Sequence, residues 1–286
     1  MSQSAFIKKI FDKNANSAFL LPDKEFAHQF LEDIFSFLFI PNTDRADKLS
    51  DYEKKFTSLN SHLTTLVYDV TRDGEKAQAI SDNFFEALPD IYDTLLKDAG
   101  VITQFDPAAQ SIEEVLVAYP GFYTTAIYRI ANELWKQNVR MLPRLFTEYA
   151  HSKTGIDIHP GAAIGESFFI DHGTGIVIGE TTVIGNNVKI YQGVTLGALN
   201  TSNKEKAVAA RRHPIIQDNV IIYPGATILG GNAIVGKDSV IGANVWITHH
   251  VPPNSLVYHK SEVVARENFS FKSSVEDILK ERSVPQ

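Results

Sequence analysis

The sequence contains no cysteine, and this absence excludes several kinds of site. Without thiols the chain has no disulfide bridges, no thiolate metal site and no cysteine nucleophile. Long apolar runs are also missing. The most apolar stretch, from Ile34 to Ile40, is far shorter than the roughly 20 residues that cross a bilayer. The first residues lack the apolar core of a signal peptide, so we expect a cytoplasmic protein that does not bind membranes.

Basic residues are also fewer than acidic residues. The chain has 27 Lys and Arg against 34 Asp and Glu, which gives a formal net charge of −7. Nonspecific nucleic-acid binding depends on an excess of basic residues, so we do not expect it here. An anionic ligand would need a local basic patch. At 286 residues with 44% hydrophobic content, the chain is long enough for one large or two moderate domains.

The first half of the chain predicts α-helices. Between Asp23 and about Tyr149 the apolar residues recur three or four positions apart, as they do on one face of a helix. Asp106-Pro107 is typical of the first turn of a new segment. Ser111 and Glu114 resemble a capping box that opens a short helix. No strong catalytic motif stands out in this half, so we interpret residues 1–152 as an α-helical assembly domain.

The second half, from Ile156 to Val251, has a different period. A branched aliphatic residue returns at every sixth position, which fits neither an α-helix nor a flat strand. This period is typical of hexapeptide repeats, which coil into a parallel β-solenoid. The rhythm slips by two close to His172. The predicted fold class is therefore α+β: an all-α domain, a solenoid over residues 153–258, and a tail over 259–286.

One segment, residues 198–214, interrupts the repeats. Its basic bias in an acidic protein predicts anion binding. A solvated surface loop is the alternative interpretation. Its charged and histidine residues are Lys204, Glu205, Lys206, Arg211, Arg212 and His213.

Three motifs stand out in the second half: Asp157-Ile-His-Pro160, Asp171-His-Gly-Thr-Gly175 and Arg212-His-Pro214. Together with Gly193-Val-Thr-Leu-Gly197, they closely resemble the serine acetyltransferases, and the likeness covers about Asp106 to Pro253. The resemblance implies a left-handed β-helix. It also implies transfer of acetyl from acetyl-CoA to the hydroxyl of L-serine, the first step of cysteine biosynthesis, without a metal.

The resemblance also implies roles for individual residues. His172 corresponds to the catalytic base and Asp157 to the carboxylate that orients it. Asp106 and Asp171 correspond to carboxylates near the substrate amine. The substrate carboxylate would be bound by Arg212 and His213. Backbone contacts to the coenzyme would fall at Gly197, Ala198, Pro224, Gly225 and Ala243.

This chemistry is consistent with the residue types. A serine hydroxyl is a poor nucleophile until a base removes its proton, and imidazole is suited to that step near neutral pH. A carboxylate on the other ring nitrogen fixes the tautomer. Three hexapeptides make a coil of about 18 residues. His172 follows Asp157 by 15 residues, so the spacing permits contact between neighbouring coils without fixing it.

The resemblance further implies partners. It predicts a homotrimer, or a dimer of trimers joined by the helices, with L-cysteine as a feedback inhibitor at the serine site. Ala198 stands where relatives often have a second glycine, and Val263-Val-Ala-Arg266 replaces their usual G-x-P-A-R ending. The chain ends at Gln286, without the terminal isoleucine by which many relatives dock into cysteine synthase. That complex is therefore not predicted.

Three other functions stay open at this point. The first is acetyl transfer to another small hydroxyl or amine acceptor, although a neutral sugar would not need paired charged groups. The second is a solenoid metalloenzyme like the γ-type carbonic anhydrases, which need two histidines spaced H-x4-H for zinc. The sequence has no such pair. The third is a noncatalytic scaffold.

Overall fold

The computed structural model describes residues 1–15, 22–40, 48–199 and 211–260. Lys204 and Lys206 of the basic segment, and Val263 to Arg266 of the tail, lie outside these ranges. None of the helices in the described ranges is long and apolar enough to cross a membrane. The helices are α1 (Gln3–Ala15), α2 (Lys24–Phe39), α3 (Leu49–Thr71), α4 (Gly74–Phe105), α5 (Ile112–Ala118), α6 (Pro120–Lys136) and α7 (Leu142–Thr154).

Fourteen short strands follow the helices in the described residues. They form three parallel sheets: sheet A has the order β1-β4-β7-β10-β13, sheet B β11-β8-β5-β2, and sheet C β14-β12-β9-β6-β3. The strands are β1 (Asp157–Ile158), β2 (Ala163–Ile164), β3 (Phe169–Asp171), β4 (Val177–Ile178), β5 (Val183–Ile184), β6 (Lys189–Tyr191), β7 (Thr195–Gly197), β8 (Ile215–Ile216), β9 (Ile221–Ile222), β10 (Thr227–Leu229), β11 (Ile234–Val235), β12 (Val240–Ile241), β13 (Trp246–Ile247) and β14 (Leu256–Val257).

The predicted six-residue rhythm forms the core of the solenoid. The aliphatic residues of each sheet stack directly above one another, because paired strands align them in register. Their side chains are almost fully buried and form one continuous cluster along the coil. The predicted fold, an all-α part followed by a parallel β-solenoid, is therefore confirmed. In sheet A the inward row consists of Ile158, Ile178, Leu196, Ile228 and Ile247.

Side-chain caps define where several helices begin. Ser111 accepts a hydrogen bond from the backbone N–H of Glu114 at 3.2 Å, as the capping motif predicts. The carboxylate of Glu114, however, accepts from the N–H of Gln110 and not from Ser111. Asp106-Pro107 starts a new segment as predicted, but its proline lies in a turn and not in the first turn of a helix. Helix α4 runs to Phe105, and the Asp106 N–H still donates to Ile102 O at 2.9 Å, so Pro107 lies in a turn.

The first coil of the solenoid has an unusually wide corner. Along sheet A the paired positions are 157, 177, 195, 227 and 246, so successive coils take 20, 18, 32 and 19 residues. The 32-residue coil contains the basic segment. The two extra residues of the first coil fall between β3 and β4, where His172 has φ 53° and Gly173 φ 90°. A Cβ on Gly173 would lie 2.4 Å from Ile156 Cδ1, so only glycine fits there.

A buried ion pair joins the helices to the solenoid. Arg129 of α6 donates from Nε to Asp98 Oδ2 of α4 at 2.7 Å, and from Nη2 to Asp98 Oδ1 at 3.1 Å. The N–H of Phe168 donates to Asp98 Oδ1 at 2.8 Å. Arg129 Nη2 also donates to Gly165 O at 2.7 Å. Because both charged groups contact the start of the solenoid, this pair fixes the helices against the first coil.

Candidate active site

His172 projects from the wide corner into solvent. Its side chain is 73% exposed, and Nε2 lies 3.7 Å from Asp171 Oδ1. Asp157 does not contact it, because Arg144 Nη1 donates to Asp157 Oδ1 at 3.1 Å. The structure therefore places His172 beside Asp171 and leaves Asp157 bound to an arginine. An exposed imidazole beside a carboxylate can accept a proton from a bound hydroxyl.

Asp106 lies in the same region as Asp171. The Tyr119 hydroxyl donates to Asp106 Oδ2 at 2.8 Å, and the Ala108 N–H donates to Oδ1 at 2.8 Å. Partial burial and Asp106 raise the pKa of Tyr119 to about 12, and Asp171 contributes to the rise. Burial also raises the pKa of Tyr191, and both carboxylates add to it. We call Asp106, Tyr119, Asp171 and Tyr191 the carboxylate–tyrosine cluster.

The carboxylate–tyrosine cluster has the chemistry of a cation site. Among the described residues, neither Asp106 nor Asp171 forms an ion pair with a lysine or arginine. Both carboxylates act on the same two tyrosines, Tyr119 and Tyr191, and a positive charge placed there would interact favourably with each carboxylate. A substrate ammonium group suits this position, with tyrosine hydroxyls available as further hydrogen-bond groups.

Arg212 and His213 form a second group with Glu180 and Thr181, which we call the arginine–histidine cluster. The Thr181 N–H donates to His213 Nδ1 at 3.1 Å, so Nδ1 is the acceptor and Nε2 carries the proton of the neutral ring. Burial lowers the pKa of His213, and the charge of Arg212 lowers it further. Arg212 pairs with Glu180, while its Nε is buried without a hydrogen-bond partner. Arg212 and His213 are donor types suited to an anion, but His213 is only 7% exposed and Arg212 Nη2 is held by Glu180.

The two clusters lie on different corners of the same solenoid. His172 stands between sheets C and A, and Thr181 and His213 stand between sheets A and B. Thr181 follows Gly175 by six residue steps across β4. At ~3.3 Å per residue this is on the order of 20 Å. One small amino acid is too short to contact both clusters of a single chain.

The predicted coenzyme residues are divided between the same two corners. Pro224, Gly225 and Ala243 lie on the corner of His172 in later coils. Backbone hydrogen bonds connect that corner from coil to coil, including Gly225 N to Gln192 O at 3.0 Å. Gly197 and Ala198 lie at the end of β7, on the corner of the arginine–histidine cluster. The predicted coenzyme residues therefore do not lie together on a single chain.

One group of described residues has the ligand types for a metal ion: Glu148, His151 and Asp157. Arg144 is already paired with two of them, with Nη2 2.5 Å from Glu148 Oε1 and Nη1 3.1 Å from Asp157 Oδ1. A guanidinium in this position neutralises the carboxylates that a cation would need. The arrangement is an ion-pair network around an arginine.

Several residues of the site were missed from the sequence. Tyr191 lies opposite Asp171 in the strand register, so extending the repeat to outward positions would have found it. Tyr119 and Glu180 carried no signal, because each reaches its partner across a turn or a coil. Arg144 is 13 residues before Asp157, a spacing that fits no local motif.

Comparisons with known proteins decide the family. No family model matches the sequence. The plasmid serine acetyltransferase of Synechococcus elongatus is 50% identical over 186 residues, 64% of this chain and 58% of that protein. The serine acetyltransferase of Bacillus subtilis is 47% identical over 163 residues, 57% of this chain and 72% of that protein. The chain belongs to the serine acetyltransferase family. It is therefore an acyltransferase, as the resemblance predicted.

Solved structures of serine acetyltransferases share the fold. Serine acetyltransferase 1 of Entamoeba histolytica, in complex with L-cysteine, has a TM-score of 0.73 and 34% identity, covering 82% of this chain and 97% of that one. The Neisseria gonorrhoeae enzyme in complex with serine has a TM-score of 0.57 and 26% identity over 86% of this chain and 97% of that one. A serine acetyltransferase in complex with CoA has a TM-score of 0.55 and 28% identity over 82% and 94%.

Proposed function

We propose that this serine acetyltransferase family member transfers acetyl from acetyl-CoA to the hydroxyl of L-serine, giving O-acetyl-L-serine and CoA. The observation that carries the proposal is the carboxylate–tyrosine cluster, with Asp171 beside the exposed His172. Among the described residues, neither Asp106 nor Asp171 pairs with a lysine or arginine. They provide an ammonium site next to a base, which an amino-acid alcohol needs. Relatives solved with serine and with CoA support the two substrates.

In the proposed reaction His172 acts as general base. It takes the serine hydroxyl proton while the oxygen attacks the thioester carbonyl. The tetrahedral intermediate collapses by breaking the C–S bond, and the imidazolium returns the proton to the departing CoA sulfur. The ring leaves the cycle neutral, ready for the next serine.

Asp157 is the proposed orienting carboxylate, although it must change partner to act. It lies on β1, one coil below the wide corner, and is bound by Arg144. Arg144 also pairs with Glu148, so the guanidinium keeps a partner when Asp157 turns away. Contact with the imidazolium would then stabilise the charge formed during proton transfer.

The carboxylate of serine would bind to Arg212 and to Nε2–H of His213. Because these groups lie on the other corner, a complete site requires the arginine–histidine cluster of a second copy. We therefore propose a homotrimer in which adjacent solenoids share each site. The outward row of sheet B supports this arrangement, because it is entirely apolar and would be covered by a neighbouring copy. The row consists of Ala163, Val183, Ile215 and Ile234.

L-Cysteine is a proposed competitive inhibitor of the same site. It keeps the ammonium and carboxylate groups of serine and replaces only the hydroxyl by a thiol. Both proposed charge contacts would therefore form with it. The relative solved with L-cysteine supports this proposal.

The proposed function is tested by thiol release from acetyl-CoA. Release should require added L-serine, and homoserine, galactosides and other alcohols should give much slower release. Equal rates with a galactoside would favour a different acceptor. No release and no binding of acetyl-CoA would favour a noncatalytic scaffold.

Removing the Tyr119 hydroxyl should weaken serine binding selectively. The hydroxyl donates to Asp106 Oδ2 at 2.8 Å and so fixes the carboxylate that meets the ammonium. A hydrogen bond to a charged group contributes about 1.5–3 kcal/mol. We expect Tyr119→Phe to raise the KM for serine roughly tenfold, with kcat within about twofold. Steady-state kinetics at saturating acetyl-CoA measure both.

Tyr123→Phe is the matched control for Tyr119→Phe. Its hydroxyl also donates to a carboxylate, Glu32 Oε1, at 2.7 Å, but within the helical core. This variant should lose stability without a change in the KM for serine. An unchanged KM in Tyr119→Phe, or the same rise in both variants, would contradict the positioning role.

A further inference from the structure

Helix α4 ends on the outer face of sheet C, where one lysine interrupts an apolar row. Phe169 of β3 is buried under the helix, in a cluster with Leu95 and Ile102. In the strand register Phe169 pairs with Lys189, and Lys189 pairs with Ile221. Lys189 is only 7% exposed. A charged residue in this position needs a partner that compensates for its lost hydration.

The main partner of the Lys189 ammonium group is an aromatic ring. Nζ lies 3.9 Å from the centroid of the Phe105 ring, and it also donates to Asn187 Oδ1 at 3.2 Å. Burial lowers the pKa of Lys189, and no carboxylate contributes an opposing rise. Within the described ranges the ammonium group forms no ion pair either. The cation–π contact with Phe105 is therefore its main electrostatic interaction.

A ladder of side-chain amides fixes the position of this ammonium group. Asn187 Nδ2 donates to Asn219 Oδ1 at 2.9 Å, and Asn219 Nδ2 donates to Asp238 Oδ1 at 2.8 Å. A lysine can only donate and an ionised carboxylate can only accept, so the two amides between them have a single possible orientation. The ladder extends over three successive coils and anchors Lys189 to the solenoid.

The ring that Lys189 contacts is next to a proposed substrate residue. Phe105 is the last residue of α4, and Asp106 follows it directly. The Asp106 N–H still donates to Ile102 O at 2.9 Å, so the last turn of the helix carries this carboxylate. Phe105 is 46% exposed and has no ring partner in the described part of the chain. Its contact with Lys189 therefore ties the end of α4 to the solenoid.

We propose that Lys189 is a positioning residue for Asp106: it holds Phe105, and with it the end of α4, against the second coil. This inference rests on the proposed function and adds to it a residue that does not touch the substrate. Because its ammonium group pairs with no carboxylate among the described residues, Lys189 acts through the position of the helix end and not through its own charge on Asp106.

Lys189→Gln removes the charge and keeps a hydrogen-bond donor for Asn187. Loss of the cation–π contact should raise the KM for serine by about fivefold, with kcat and the KM for acetyl-CoA within about twofold of wild type. Lys189→Arg should bring the serine KM to within about twofold of wild type, because a guanidinium also stacks on an aromatic face. Steady-state kinetics with each substrate saturating in turn measure these values. A merely structural lysine would not change the serine KM alone.

Phe105→Leu removes the other half of the same contact. It should raise the serine KM about as much as Lys189→Gln, and the double variant should show no further rise. Additive rises in the double variant, or an unchanged serine KM in Phe105→Leu, would overturn the positioning role. Because the Phe105 side chain is half-exposed, this variant should fold, and its result decides the question if Lys189→Gln fails to fold.

Lys153→Gln is the matched control. Its Nζ also lies over an aromatic ring, that of Tyr149, at 4.7 Å from the centroid, but between residues of α7. This variant should leave the serine KM unchanged. The same rise as in Lys189→Gln would contradict a specific role for Lys189.

Hydrogen exchange separates this inference from the proposed function. The peptide that contains Phe105 and Asp106 should exchange faster in Lys189→Gln than in wild type or Lys189→Arg, whichever acceptor the enzyme uses. Unchanged exchange would overturn the positioning role. Absence of serine-dependent transfer in wild type, with faster exchange in Lys189→Gln, would overturn the proposed function alone.

Discussion

Replacing His172 with alanine should lower serine-dependent acetyl transfer by about 10²- to 10⁴-fold. In the proposed mechanism this imidazole is the only group that removes the hydroxyl proton, so the attack on the thioester slows by the full contribution of a general base. The side chain is 73% exposed and fills no core space. Thermal unfolding of the variant should therefore match that of wild type. Thiol release under saturating serine and acetyl-CoA gives the change in kcat.

His250→Ala is a suitable control, because His250 is also exposed but lies at the far end of the solenoid. It should retain full activity. Normal turnover in His172→Ala would remove the proposed mechanism. Asp157→Asn and Asp171→Asn then distinguish the roles of the two carboxylates proposed to act with His172. A loss mainly in kcat marks the orienting carboxylate, and a rise mainly in the KM for serine marks the ammonium partner.

The second large effect concerns stability. Asp98→Ala should reduce the free energy of unfolding by about 3–5 kcal/mol, because it leaves Arg129 as a buried charge without its partner. The side chains of Asp98 and Arg129 are only 1% and 10% exposed. The N–H of Phe168 loses its acceptor as well. Urea unfolding followed by circular dichroism measures the difference.

The preceding residue provides the control for this prediction. Lys97 forms an ion pair with Glu166 at 2.9 Å, which also joins α4 to the solenoid, but the two side chains are 50% and 53% exposed. Pairs of this kind contribute only about 0–1 kcal/mol. Lys97→Ala should therefore change stability little. Equal losses in the Asp98 and Lys97 variants would show that burial does not set the strength of the junction.

Repetition made the solenoid predictable from sequence. Each inward position, such as Ile178 or Ile228, is specified by its own six-residue pattern. Stacking the coils needs no further signal in the sequence, because each repeat contacts only its neighbours. The slip in that pattern also located the corner of His172, because extra residues in a coil must leave the stacked strands. Arg212 and His213 were visible as part of a locally basic segment in an acidic chain.

Contacts across elements were not predictable. Asp98 and Arg129 are 31 residues apart on two helices, and no periodicity connects them. The bond between Tyr119 and Asp106 forms because a turn after α4 and the start of α6 meet at the solenoid. Arg144 as the partner of Asp157 depends on how α7 enters the first coil. These pairings are consequences of tertiary packing, which a single sequence does not display.

The wide corner has a further consequence for how the coil accommodates its active residue. Successive side chains of a strand point to opposite faces. Inserting two residues therefore leaves the later side chains on their original face, whereas inserting one residue moves them to the other face unless the backbone bends. The aliphatic positions of the six-residue repeat after residue 176 therefore still point inward. At His172 the chain leaves the stacked strands and rejoins them without changing which positions face inward. Residues at this corner can therefore be substituted without altering the packed interior of the later coils.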